Sequence, residues 1–114
     1  MHELGVVFHI IDDVTDIGRQ NNLSKINSVT LQLGTVSTVI PDYLTDCWYW
    51  AVKRTELMQD AKLIIEPIEA ITFCEGCKKT YDTVKYGKIC PYCGSEDTYL
   101  YQGNEFLIKE IEGA

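Results

Sequence analysis

"CEGCKKTYDTVKYGKICPYCG", residues 74–94, is the stretch on which the reading of this chain turns. Two Cys-x-x-Cys pairs, Cys74 with Cys77 and Cys90 with Cys93, flank a twelve-residue spacer, and Gly94 follows the last cysteine. A two-residue gap lets both thiolates of a pair turn toward one point. Two such hairpins supply the tetrahedron that Zn(II) prefers, with Zn–S bonds of about 2.3 Å. Four protein ligands leave no open coordination position, so the expectation is a structural zinc site and not a hydrolytic one. A rubredoxin-like iron is the nearest rival, since thiolates alone do not exclude it. A disulfide or redox pair is a weaker reading, because a cytosolic chain keeps its thiols reduced or metal-bound. From Cys74 to about Thr98 the chain holds few aliphatic residues, so a metal must supply much of the folding free energy there. We expect a zinc module over residues 73–98, inserted in a domain made by residues 1–72 and 99–114.

The flanking sequence alternates helical and strand periods. Leu4, Val7, Phe8, Ile11 and Val14 step by three and four, with Asp12, Asp13, Asp16 and Arg19 off that stripe, which predicts a first helix from Glu3 to about Gly18. Val29, Leu31 and Leu33 then alternate with Thr30 and Gln32 in a half-buried strand closed by Gly34. Pro41 suits a first helical position, and Leu44, Cys47, Trp48 and Ala51 mark one face of a second helix reaching about Thr55. Cys47, at that spacing, reads as a buried core residue. "AKLIIEPIEAITF", residues 61–73, predicts a further strand through Leu63, Ile65 and Ile68, with Pro67 pointing to an edge or a bulge. A last strand follows in "EFLIKEIE".

The chain has 114 residues, enough for one modest core with an appendage, and a net charge of −7. That charge disfavours nucleic-acid backbones as partners, whose nonspecific affinity comes from basic side chains. No stretch approaches the roughly 20 apolar residues that span a bilayer, and no signal-peptide pattern opens the chain. The expectation is a soluble, cytoplasmic protein without a membrane partner.

The chain starts "MHEL", residues 1–4. With Met1 retained, the terminal amine, the amide nitrogen of His2 and the His2 imidazole can close two fused chelate rings on one ion. Such nitrogen donors suit square-planar Ni(II) or Cu(II). The amide of Glu3 or an outside group can take the fourth position. Alternatively, His2 is an exposed terminal residue without a function, and Glu3 an acid that favours a helix start. His9 lies about 10 Å further along the helix axis, too far to share the ion, and reads as a surface or packing residue.

In combination, the "MHEL" start, the strand ending Leu33-Gly34, the helix opened by Pro41, the two Cys-x-x-Cys pairs with "CPYCG" second, and a closing "GNEFLIKEIEG" resemble the HypA/HybF nickel chaperones of hydrogenase maturation. The resemblance covers essentially the whole chain. It implies an α+β fold, two helices packed on a small three-stranded sheet with an inserted zinc-ribbon-like module. It also implies nickel binding at Met1, His2 and Glu3, zinc at Cys74, Cys77, Cys90 and Cys93, and no catalysed reaction. The implied partners are a HypB-type nickel GTPase, the hydrogenase large subunit precursor and, for some members, urease accessory proteins. Where family members often carry Gly-Glu and Ser-Gly, this chain has Gly34-Thr35 and Ser37-Thr38; Asp42 is the nearest carboxylate to that loop in sequence. Whether the chain forms a homodimer is left open. The competing reading is a zinc-ribbon module for nucleic acid or a transcription complex, based on Lys78, Lys79, Lys85 and Lys88 interleaved with Tyr81, Tyr86 and Tyr92.

Overall fold

The structure, a computed structural model, describes residues 3–114. Its elements are α1 (Glu3–Gln20), β1 (Ile26–Gly34), α2 (Pro41–Val52), β2 (Lys62–Ile68), β3 (Ile71–Cys74), β4 (Thr80–Asp82), α3 (Thr83–Tyr86), β5 (Thr98–Gln102) and β6 (Phe106–Gly113). They form one three-stranded sheet in the order β2-β1-β6 and a second in the order β4-β3-β5. The chain divides into two compact units. One takes the chain up to Gln32, Thr38–Glu66 and Leu107–Ala114; the other takes Leu33–Ser37 and Pro67–Phe106.

In the first unit, α1 buries Val7, Ile10, Ile11, Val14 and Gly18. The stripe expected from the sequence included Leu4 and Phe8, but these are exposed and Ile10 is buried instead. Phe8 turns to the side of the stripe and meets the Trp50 ring edge-on, 6.4 Å between centroids. The helix ends in a Schellman motif: the Leu23 N–H donates to the Gly18 carbonyl (2.9 Å) and the Asn22 N–H to that of Arg19 (3.2 Å). Asn22 takes the left-handed φ of 56° that this ending requires.

Helix α2 starts at Pro41, which has no N–H to leave unpaired, and buries Leu44, Trp48, Ala51 and Val52. Trp48 is fully buried, and its indole N–H donates to the Ala61 carbonyl at 3.0 Å, so its polar atom is satisfied inside the core. Ile26, Val29 and Leu31 of β1, the central strand, complete that core. Pro67 lies in β2, an edge strand, as its missing N–H demands.

In the second unit, β3 pairs antiparallel with both β4 and β5. The single strand expected over residues 61–73 is therefore two, β2 and β3, in different sheets with Glu69 and Ala70 between them. Pro67 stands inside β2, one residue before its end, and the break falls at the crossing just beyond. There Ala70 is fully buried, and a Cβ on Gly103 would lie 2.5 Å from the Ala70 Cα. A Cβ on Gly34 would lie 1.9 Å from the Gly103 carbonyl oxygen, so this crossing admits only small residues.

Candidate metal centre

The two cysteine pairs adopt the same turn. In the first, the Cys74 N–H donates to the Lys79 carbonyl and the Lys78 N–H returns to that of Cys74, both at 2.9 Å. In the second, the Cys90 N–H donates to the Ser95 carbonyl (3.0 Å) and the Gly94 N–H to that of Cys90 (2.9 Å). The residue after each second cysteine is left-handed: Lys78 at φ 60° and Gly94 at φ 74°. Glycine adopts this freely, whereas at Lys78 it costs about 1 kcal/mol, which the surrounding turn must hold.

Facing each other, the turns bring all four sulfurs within 4.8 Å of one another. Cys74 Sγ lies 3.6 Å from Cys93 Sγ, and Cys77 Sγ lies 3.6 Å from Cys90 Sγ. A tetrahedral ion with metal–sulfur bonds of ~2.3 Å requires sulfur separations of about 3.8 Å, so the arrangement can hold a metal ion. Between the two turns, Tyr81 of β4 packs with Cys74, Cys77 and Cys90. Asp82 caps α3, accepting from Val84 N (3.0 Å) and Lys85 N (3.4 Å), and Tyr81 donates its hydroxyl to the Gly87 carbonyl at 2.8 Å.

The thiols perturb one another. Burial opposes the Cys90 thiolate, but N–H donors from Cys93 and Tyr92 and hydrogen bonds from Cys77 and Cys74 outweigh it and bring the pKa down to about 7. The Ser95 N–H favours the Cys93 thiolate, yet the Cys74 partner, desolvation and the other thiols together push Cys93 up to about 11. Burial, followed by the Cys90 contact, raises Cys77. Four sulfurs in one small volume cannot all ionise on their own, because like charges oppose each further ionisation; a dication reverses that preference.

Of the remaining residues singled out in the sequence, Glu3 is half-buried at the first turn of α1, and its Oε2 accepts the Ile40 N–H at 3.3 Å. Met1 and His2 lie outside the described residues. Asp42 stands in the first turn of α2. His9 is a surface residue, its side chain 78% exposed and 3.5 Å from Asp13. Cys47 is not the buried core residue expected: it is half-buried and lines a shallow groove with Leu4, Asp46 and Trp50. It takes no part in the four-sulfur cluster. Of the four lysines behind the nucleic-acid reading, Lys79 lies 5.0 Å from the Tyr92 ring, Lys85 lies 5.3 Å from that of Tyr86, and Lys78 pairs with Glu75 at 3.1 Å. Sequence reasoning missed the Glu3–Ile40 contact, which spans 37 positions and carries no local signal. The paired turn could have been found from Gly94 directly after the second Cys-x-x-Cys.

Fold and site together define a small α+β metal-binding protein, one unit of which carries a four-cysteine cluster. The family described as "Hydrogenase/urease nickel incorporation, metallochaperone, hypA" matches residues 1–113, and the chain belongs to it. The chain is 33% identical to the hydrogenase maturation factor HypA of Actinobacillus succinogenes, covering 97% of each chain. It is 31% identical to HypA 1 of Bradyrhizobium diazoefficiens, covering 98% of each. Its fold is similar to the solution structure of the Ni metallochaperone HypA from Helicobacter pylori, with a TM-score of 0.72 and 23% identity over 99% of this chain and 97% of that one. A second HypA solution structure matches at a TM-score of 0.76 and 24% identity, over 100% and 97% of the two chains. The family is one of metallochaperones and maturation factors, not of catalysts.

Proposed function

We propose that this protein binds Ni(II) at its terminal Met1, His2 and Glu3 and delivers it for assembly of the [NiFe] hydrogenase centre, with Zn(II) held at Cys74, Cys77, Cys90 and Cys93 as a structural ion. The observation that carries this reading is the family match, which runs from residue 1 and so includes the nitrogen-rich terminus. Donor chemistry supports the division of metals. Terminal amine, amide and imidazole nitrogens suit square-planar nickel, and four thiolates in closed tetrahedral array suit zinc. The proposed functional division is a nickel-binding domain of residues 1–72 and 99–114 and a zinc module of residues 73–98. A HypB-type GTPase and the hydrogenase large subunit precursor are the proposed partners, and urease a second recipient.

The test is a Ni(II) titration of three proteins: the native start, His2→Ala, and a chain with one extra N-terminal residue. The native start should bind and the other two should bind at least tenfold more weakly. Equal affinities in all three overturn the terminal site.

A further inference from the structure

Helices α1 and α2 pack against each other within the first unit, and each carries apolar residues that the core does not use. Residues three or four apart stack on one side of a helix. In α1 this aligns Leu4 with Phe8, and in α2 it aligns Tyr43, Cys47 and Trp50, beside the stripes that both helices bury. The two rows meet. Phe8 and Trp50 are 6.4 Å apart between ring centroids, and Leu4, Asp46, Cys47 and Trp50 line one shallow groove. Phe8, Tyr43 and Trp50 are 42, 60 and 49% exposed, so three large rings are presented rather than buried. Arg54 lays its guanidinium over the Trp50 ring, 3.7 Å from the centroid, so the indole is held by two neighbours before any partner arrives. The rim is acidic. Asp46 lines the groove and Asp12 stands one turn beyond Phe8; both are exposed, and among the described residues neither is in an ion pair. The two helices carry Glu3, Asp12, Asp13, Asp16, Asp42 and Asp46 against Arg19 alone.

We infer that this face is a docking groove for an amphipathic helix of another protein, one with large apolar anchors at helical spacing and lysine or arginine on both flanks. Helix-in-groove recognition uses anchors at i, i+3 or i+4 and i+7, the spacing that the two rows offer in return. Trp and Tyr rings already held in place are the side chains that dominate such interfaces, because little ordering is left to lose. Charge selects the occupant. A second copy of this chain laid on the same face sets Asp12 and Asp46 against acidic helices and is repelled, whereas basic flanks pair with both. An anionic lipid surface is disfavoured for the same reason. The inference does not depend on where either metal binds.

The experiment uses the full-length protein and a synthetic peptide of about 18 residues, long enough to form a helix, with leucines at helical spacing and lysines on either side of them. A second peptide replaces every lysine by glutamate. Binding is read by NMR at the Trp50 indole N–H and the amides of Phe8 and Cys47. The lysine peptide should move these signals saturably, bind at least about tenfold more tightly than the glutamate peptide, and weaken as salt rises. Trp50→Ala should weaken it about tenfold or more. Asp12→Lys combined with Asp46→Lys, both at exposed positions outside the core, should invert the preference toward the glutamate peptide. An unmoved indole signal from the buried Trp48 shows that each variant is folded. No movement of the Trp50 signal at ~1 mM lysine peptide overturns the inference, as does equal binding of the two peptides. A concentration-dependent dimer in sedimentation that Trp50→Ala abolishes also overturns it, because the face is then an interface between copies.

Discussion

Removing the metal from the four-thiolate centre should unfold the knuckles, and the module's own core says why. Its buried residues are Cys74, Tyr81 and Cys90, with Cys77 packed against them, so three of the four members of that cluster are ligands. Tyr81 is the one large side chain left when the metal goes, and burying such a residue contributes roughly 1.5–3 kcal/mol. Fixing the backbone costs about 1–2 kcal/mol per residue, so Tyr81 offsets the ordering of two or three residues and no more. Structural zinc in small finger peptides contributes about 10–16 kcal/mol, and nothing comparable replaces it. Chelation under reducing conditions should therefore abolish amide protection at Lys78 and Gly94, whose N–H groups close the two turns on the Cys74 and Cys90 carbonyls. Hydrogen exchange read by mass spectrometry or NMR measures this directly. Trp48 and Trp50 both belong to the other unit, so their emission gives a separate reading of its fold in the same sample. Protection of Lys78 and Gly94 that survives full metal removal would refute the reasoning, because the turns would then be holding themselves.

Four further outcomes follow from particular positions. Gly34→Ala should cost about 3 kcal/mol or more in urea unfolding, since the new Cβ meets the Gly103 carbonyl and disturbs hydrogen bonds worth ~1 kcal/mol each. Gly94→Ala, with nothing within 4 Å of its Cβ, should show only the left-handed backbone cost of about 1–2 kcal/mol. Glu66 is held below its ordinary 4.5 chiefly by the Lys109 ammonium at 2.6 Å and then by Gln32. Its contribution is therefore present above pH 4.5 and is lost as pH falls through the lowered folded value; Glu66→Gln should flatten the acid limb of the stability profile, and an unchanged limb counts against the pairing. Cys47→Ser should leave bound metal unchanged by atomic emission while Cys90→Ser loses the structural ion; equal losses would place Cys47 in a metal site.

How much was legible depended on where the signal was stored. The cysteine spacing predicted the sulfur cluster because two short turns fix all four donors locally. Pro41 and Pro67 marked a helix start and an edge strand for the same reason: a missing N–H limits where a residue can stand. The second sheet was hidden. Its strands β3, β4 and β5 have only four, three and five residues and few aliphatics, so alternation had no length in which to show. Cys47 kept helical step with Leu44 and Ala51 but fell at the margin of their stripe, where a spacing of three places a residue about 60° from its neighbour. The Glu3–Ile40 contact was beyond any periodicity argument, since only the folded chain joins positions 37 apart.

The assignment of one metal as resident and the other as cargo follows from what emptying each site does to the fold. Affinity order does not separate them, because nickel binds most nitrogen, oxygen and sulfur sites at least as well as many of its divalent neighbours. In the proposed scheme the thiolate centre cannot release its ion without losing its own core, Cys74, Cys77 and Cys90 included. The terminus is different. Helix α1 is held by Val7, Ile10, Ile11 and Val14, which are buried, and closed at its far end by its own Schellman motif. In the same scheme, losing nickel from the terminus removes none of these buried contacts, so α1 stays folded. A carrier needs this asymmetry: an ion whose loss unfolds the protein stays, and an ion whose loss leaves the fold intact can be handed on.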